Sequence, residues 1–232
     1  MPTIDEIKKK AAVYAADFIK QGMTIGLGTG STVYWLIEEL GTRIKQGLSV
    51  SIVPTSKQTQ MLAKKFGIPV ININDIGELA LTIDGADEIN PQLQLIKGGG
   101  GALLQEKIVA SISRELIIIA DSSKLVQQLG KFPLPVEVIS FGYKHVQQKI
   151  LNLNCNKVLV RNNGNGSAFI SDHGHYILDC YFNNIHDVRS LNASLHNIPG
   201  IVETGLFVDM ANKAIIAYQN GSVGVFDKSQ LP

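Results

Sequence analysis

Four residues able to move protons or hold a negative charge lie close together in this chain: Asp84, Asp87, Lys97 and Glu106. The first two belong to Asp84-Gly85-Ala86-Asp87-Glu88, which follows the short apolar run Leu79-Ala80-Leu81-Thr82-Ile83. Such a run reads as a strand buried on both faces, so the carboxylates fall where a strand ends and a loop begins. Ligands of open α/β sheets bind at that carboxyl edge. A second run, Leu93-Gln94-Leu95-Ile96, is expected to deliver Lys97 and Gly98-Gly99-Gly100-Gly101 to a similar edge. Consecutive glycines let backbone N–H groups approach a ligand closely. Carboxylates, a lysine and such N–H donors are the parts needed for acid–base chemistry and for stabilising an oxyanion.

The words after the glycines, Ala102 to Ala110, are helical. On that helix Glu106 shares a face with Ala102, Leu103, Val109 and Ala110, while Leu104, Ile108 and Ile112 line the opposite side. A helix apolar on both sides is expected to be buried, which would raise the carboxyl pKa and suit a base near neutral pH. The competing reading puts Glu106 at a rim, paired with a surface lysine.

These residues need a scaffold, and the chain of 232 residues is long enough for one large domain or two small ones. A net charge of +1 points to no nucleic-acid or acidic partner, and no apolar run is long enough to span a bilayer. Charged residues from Asp5 onward interrupt any signal-peptide core. Cys155 and Cys180 show neither metal-ligand spacing nor a disulfide framework, and they read as buried thiols of a reducing, cytoplasmic setting.

Thr3-Ile4-Asp5-Glu6 matches a capping box, and Ile4, Ile7, Ala11, Tyr14 and Phe18 follow at helical spacing. Met23 to Leu27 reads as a strand, followed by Gly28-Thr29-Gly30-Ser31-Thr32 and a helix from about Val33 to Lys45. Strand, glycine turn and helix N-terminus make an anion site, strengthened by the Thr29, Ser31 and Thr32 hydroxyls. A tight turn that uses glycine only for packing is the alternative. The glycine spacing matches neither the dinucleotide fingerprint nor a Walker loop. Thr55 or Ser56 is expected to cap a helix through Lys65 that Gly67 stops. Glu115 to Ala120 is another buried strand, and it ends in Asp121-Ser122-Ser123-Lys124, where Lys124 is either a phosphate partner or a surface lysine.

This alternation predicts a largely parallel, Rossmann-like sheet with helices on both faces, an α/β fold. After Lys131-Phe132-Pro133-Leu134-Pro135 the order changes. Strands at 136–140, 157–160, 168–170, 176–180 and 201–206, with helices at 143–153 and from Asp187 to about Ile198, give a β-α-β-β-α-β pattern once the extra short strand is set aside. A smaller α+β, ferredoxin-like domain is therefore expected at 130–203, with 1–129 and 204–232 forming the larger one. His173-Gly174-His175 reads as a hairpin rather than a metal site. The tail around Asn220-Gly221 reads as a hairpin that extends the first sheet.

Gly26-Leu27-Gly28-Thr29-Gly30-Ser31-Thr32, Asp84-Gly85-Ala86-Asp87-Glu88 and the run from Lys97 to Lys107 resemble ribose-5-phosphate isomerase, type A. Gly130 to Glu137 is similar to the start of that family's small domain. The likeness covers essentially the whole chain. It implies interconversion of ribose 5-phosphate and ribulose 5-phosphate in the pentose phosphate pathway, with no metal or organic cofactor. It implies a homodimer whose partner is the small sugar phosphate, not a nucleic acid or a membrane. By resemblance Glu106 is the catalytic base, with Asp84, Asp87 and Lys97 around the reacting end of the sugar. Thr29, Gly30, Ser31, Thr32, Gly85, Ala86, Gly98, Gly99, Gly100 and Lys124 fall at further substrate-binding positions. Some members of the family have alanine where this chain has Gly101. Two other readings stand beside this one: a non-catalytic sugar-phosphate sensor, and a hydrolase holding a hard cation through Asp84, Asp87 and Glu88.

Overall fold

A computed structural model describes residues 2–164 and 166–230. In chain order the elements are α1 (Ile4–Ala16), β1 (Thr24–Leu27), α2 (Ser31–Lys45), β2 (Ser51–Pro54), α3 (Lys57–Lys65), β3 (Leu81–Asp84), β4 (Glu88–Ile89), β5 (Leu95–Ile96), α4 (Leu103–Ser111), β6 (Leu116–Asp121), β7 (Leu134–Val138), α5 (Tyr143–Leu151), β8 (Lys157–Val160), β9 (Tyr176–Tyr181), α6 (Val188–His196), β10 (Ile201–Thr204), β11 (Leu206–Phe207), β12 (Lys213–Ala217) and β13 (Val223–Asp227). They divide into two units.

The first unit holds residues 1–86, 105–125 and 209–232. Its six-stranded sheet runs β13-β12-β6-β3-β1-β2, and every pairing is parallel except β12 with β13. The central strands β3 and β6 are buried along their whole length, as apolar runs in a parallel sheet require. From β1 the chain steps outward to β2 and then returns to β3 on the other side of β1. The carboxyl ends of β1 and β3 therefore flank a topological switch point, where such sheets bind ligands.

The capping box forms: the Glu6 N–H donates to Thr3 Oγ1 at 3.2 Å, and the Thr3 N–H donates to Glu6 Oε2 at 2.7 Å. The buried face of α1 is Ile7, Ala11, Ala12, Ala15 and Ala16. Ile4 and Tyr14 are exposed and Phe18 lies past the helix end, so the expected stripe was rotated. Alanines seat α1 closely against α2, β6 and β12, and a hydropathy stripe underweights them. These helices, with Leu36, Ile37 and Leu40 of α2, cover one face of the sheet in a core that includes Ile25, Ile83, Ile117 and Ile215. On the other face Val53, Leu79 and Val109 of α4 form a separate cluster. Gly26 permits this packing, since a Cβ there would lie 2.6 Å from Val109. The tail hairpin β12–β13 extends the sheet, as the sequence predicts.

The second unit holds residues 87–104 and 126–208. Its four-stranded antiparallel sheet runs β10-β7-β9-β8, the order 4-1-3-2 of a ferredoxin-like βαββαβ unit. Val136, Val138, Val146, Ile150, Leu178 and Leu195 are part of its core. Cys155 and Cys180 are free and buried there, and burial pushes the Cys180 thiol up. The short strand expected at 168–170 is reduced to the bridges Asn162–Ala168 and Ile170–Tyr176. Around the two histidines the chain makes a turn, with Gly174 at φ 83° and its N–H donating to Ser171 O.

Two sequence expectations are corrected here. The run before Lys97 does not join the parallel sheet: β5 lies in a three-stranded antiparallel sheet, β11-β5-β4. The strand expected at 201–206 divides into β10 and β11, which belong to different sheets. Strands of two residues carry too little pattern for period-2 alternation to reveal them. The same pairing explains why contacts group residues 87–104 with the second unit, whereas the sequence division kept them with the first. Ile96 of β5 is packed in the second unit's core.

Candidate active site

In the first unit, Asp84 is the last residue of β3 and is almost fully buried. Its Oδ1 accepts the Thr29 N–H at 3.0 Å and the Gly85 N–H at 2.7 Å. Gly28 makes this possible, because a Cβ at that position would lie 2.0 Å from Asp84 Oδ1. The Gly28 N–H continues the β1–β3 ladder by donating to Ile83 O at 2.9 Å. The glycine loop and Asp84 are thus one assembly at the switch point.

Gly30 caps α2 at φ 119°, a backbone conformation suited to glycine, and offers no side-chain acceptor. The first N–H groups of a 15-residue helix consequently open onto an exposed loop, which favours an anion. Gly30 and Ser31 are exposed, Thr32 is buried, and Gly85 and Ala86 are half-buried. The Thr29 side chain also makes bonds within the protein. Its Oγ1 lies 2.8 Å from Thr55 Oγ1 and 2.8 Å from Ser56 Oγ, and Thr59 Oγ1 donates to Gly28 O at 2.7 Å. This buried hydroxyl cluster pins the loop to the β2–α3 turn, where Ser56 also caps α3. Thr55 and Ser56 stand out in the sequence as caps; their bonds to Thr29 have no sequence signal.

Lys124 is half-buried and ends a 3₁₀ turn after the carboxyl end of β6, beside β3. Asp121 caps that turn by accepting the Ser123 N–H at 2.9 Å. Glu106 sits in the first turn of α4 and is 4% exposed. Leu103, Val109 and Ala110 are buried with it, as the face reading predicts. The opposite side is not buried, however: Ile108 is exposed and Leu104 half-buried, so α4 packs through one face. Gln105 Nε2 donates to Pro54 O at 3.2 Å, tying this turn to the carboxyl end of β2.

In the second unit, the Asp87 N–H donates to Ile96 O at 2.8 Å, and Asp87 Oδ2 accepts the Gly99 N–H at 2.7 Å. Lys97 is 2% exposed. Its N–H donates to Gly205 O at 2.9 Å, and its Nζ stands 5.4 Å from the centre of the Phe207 ring, within cation–π range. Gly98 to Gly101 form a turn closed by the Gly101 N–H on Gly98 O at 2.9 Å, with φ of 96° and 79° at its ends. Glu88 is buried, and both its oxygens are taken: Oε2 accepts the Gly130 N–H at 2.7 Å and Oε1 the Phe132 N–H at 2.6 Å. It is a brace for the segment leading into β7. Among the described residues no group of three or more His, Cys, Asp or Glu side chains is placed to hold a metal ion.

The comparisons agree with the motif reading. The family model described as ribose 5-phosphate isomerase A (phosphoriboisomerase A) matches residues 51–221. A ribose-5-phosphate isomerase A from Bacillus mycoides is 56% identical over 216 residues, covering 93% of this chain and 97% of that protein. The structure of a D-ribose-5-phosphate isomerase in complex with phospho-erythronic acid superposes with a TM-score of 0.94 at 37% identity, over 97% of this chain and 100% of that one. The ribose 5-phosphate isomerase A of Methanocaldococcus jannaschii gives 0.92 at 39% identity, over 97% and 100%. Matched over nearly its whole length by enzymes of one name, the chain belongs to the ribose 5-phosphate isomerase A family and is an aldose–ketose isomerase.

Proposed function

We propose that the chain interconverts ribose 5-phosphate and ribulose 5-phosphate through an enediolate, with Glu106 as the base. In the forward direction the Glu106 carboxylate removes the proton from C2 of the open-chain aldose. The released electron pair forms the C1–C2 double bond, and the C1 carbonyl oxygen becomes an oxyanion. Glu106 returns the proton to C1, while the C2 hydroxyl loses its own proton and becomes the ketone. Asp84 carries that second proton between the two oxygens, or assists ring opening. Lys97 and the Gly98–Gly100 amides stabilise the oxyanion, and Asp87 orients Lys97 or a substrate hydroxyl. The Thr29–Thr32 loop and Lys124 hold the phosphate. The same proposal includes the homodimer, a cytoplasmic setting and a place in the non-oxidative pentose phosphate pathway.

The observation that carries this reading is a carboxylate kept from water on α4, in a chain of this isomerase family. The related enzyme in complex with phospho-erythronic acid adds support, because that ligand is a phosphorylated sugar acid whose planar, negatively charged carboxylate resembles the charge an enediolate develops at its reacting end. Formation of ribulose 5-phosphate should proceed at the full rate after dialysis against EDTA, because lysine and backbone donors take the part of a metal. Activity lost on chelation and restored by a divalent ion would overturn the mechanism. Binding of ribose 5-phosphate without turnover would favour a sensor instead.

A further inference from the structure

Arg161 precedes the Asn162–Gly166 stretch, some sixty residues beyond the glycine loop, and no motif marks it. Its Nη1 donates to the carbonyl of Gly98 at 2.8 Å and to that of Gly99 at 2.9 Å. From the other side the guanidinium is forked onto Asp179, with Nε on Oδ2 at 3.1 Å and Nη2 on Oδ1. Both side chains are mostly buried, and Phe169 lies against the guanidinium with its ring centre 5.9 Å from Cζ. Phe169 also fills the space beside Gly101, where a Cβ would come within 2.4 Å of the ring. The Arg161 N–H donates to Ile177 O and its carbonyl accepts the Phe169 N–H, both at 2.8 Å.

In a trans peptide the C=O and N–H point in opposite directions. Two successive carbonyls drawn to one guanidinium therefore turn the next two N–H groups, those of Gly99 and Gly100, the other way. The Gly99 N–H meets Asp87 Oδ2. The Gly100 N–H, in an exposed stretch, is engaged by no described residue. Successive amides facing one side form the concave arrangement that receives anions. We propose that Arg161 is the positioning residue of the glycine loop: it fixes the 98–99 and 99–100 peptides so that Gly99 holds Asp87 and Gly100 presents its N–H to the oxyanion of the substrate. The catalytic half of this proposal rests on the function proposed above; the positioning half does not.

The test uses Arg161→Lys and Arg161→Ala in the full chain. Lysine keeps the charge but lacks the planar fork that joins Asp179 to two carbonyls. A displaced donor costs roughly 10²-fold when misplacement approaches an ångström. For Arg161→Lys, kcat should fall about 10- to 100-fold with KM within about 3-fold of wild type. Arg161→Ala should lose more and regain part of its kcat in millimolar guanidinium, which a merely structural role would not give. Independently of activity, the Gly99 and Gly101 amides should exchange faster with solvent in both variants. Arg161→Lys needs no rescue to fold and decides the matter if the alanine variant does not. Unchanged amide exchange, or a loss confined to KM, overturns the proposal. Faster exchange with unchanged kcat supports the positioning and overturns the oxyanion assignment of the loop.

Discussion

Replacing Gly28 by alanine tests how tightly the glycine loop and Asp84 are joined. Gly28 has no positive φ, so the cost is steric. The new Cβ would lie 2.0 Å from Asp84 Oδ1, 2.2 Å from Cγ and 2.6 Å from Cα. The carboxylate can rotate away, but the Cα cannot. It belongs to β3, in register with β6, and the preceding carbonyl receives the Gly28 N–H. Two costs therefore add. Overpacking a well-filled site costs about 1–3 kcal/mol. Rotation of Asp84 removes the hydrogen bond from Thr29 N–H to a charged acceptor, a further ~1.5–3 kcal/mol. A total of about 2.5–6 kcal/mol, at roughly 2–4 °C per kcal/mol for a chain of this size, lowers the melting temperature by at least ~5 °C. Well below that melt, kcat should drop about 10- to 100-fold, because a misplaced catalytic group loses rate steeply. Calorimetry and initial rates on the purified variant are the assays. A melting temperature within about 2 °C of wild type, with unchanged kinetics, would refute the steric reasoning.

Two other substitutions separate binding from bracing. Lys124→Ala should lower kcat/KM by about 10- to 100-fold, mainly through KM, since a hydrogen bond to a charged group contributes ~1.5–3 kcal/mol. Free ribose should then be a very poor substrate even for the unaltered enzyme; equal turnover of ribose and ribose 5-phosphate would refute the phosphate assignment. Glu88→Gln should destabilise by about 2–4 kcal/mol, because one of two charged hydrogen bonds is lost and an NH₂ group is turned against a backbone N–H. Its KM should be that of wild type once the folded fraction is counted, and unchanged thermal melting would show that Glu88 is not the brace.

Much of this architecture was legible because it is periodic or punctuated. The capping box at Thr3, the buried runs that became β3 and β6, and the βαββαβ order of the second unit follow from spacing and turn residues. The motif around Glu106 gave a buried face correctly, although Ile108 shows that its helix is covered on one side only. What escaped was determined by pairing across the chain. The two-residue strands β4, β5 and β11 exist only through one another. The tie from Thr29 to Thr55 and Ser56 spans two elements. Arg161 acts on Gly98 and Gly99 through a fold that brings together residues far apart in sequence. Glu88 reads in sequence as one acidic residue among three, yet its oxygens serve backbone N–H groups more than forty residues away.

The central claim is that Glu106 carries the proton between C2 and C1, and Glu106→Gln in deuterated solvent tests it directly. Glutamine keeps the shape of the side chain but cannot accept the C2 proton as a carboxylate does. The variant should fold and bind ribose 5-phosphate, with kcat lower by at least about 10²- to 10⁴-fold, the usual contribution of general-base catalysis. Exchange of substrate C–H protons with solvent deuterium should stop with it. A Glu106→Gln enzyme with near-normal kcat and normal deuterium incorporation would contradict the account and move the role of base to Asp84 or Asp87.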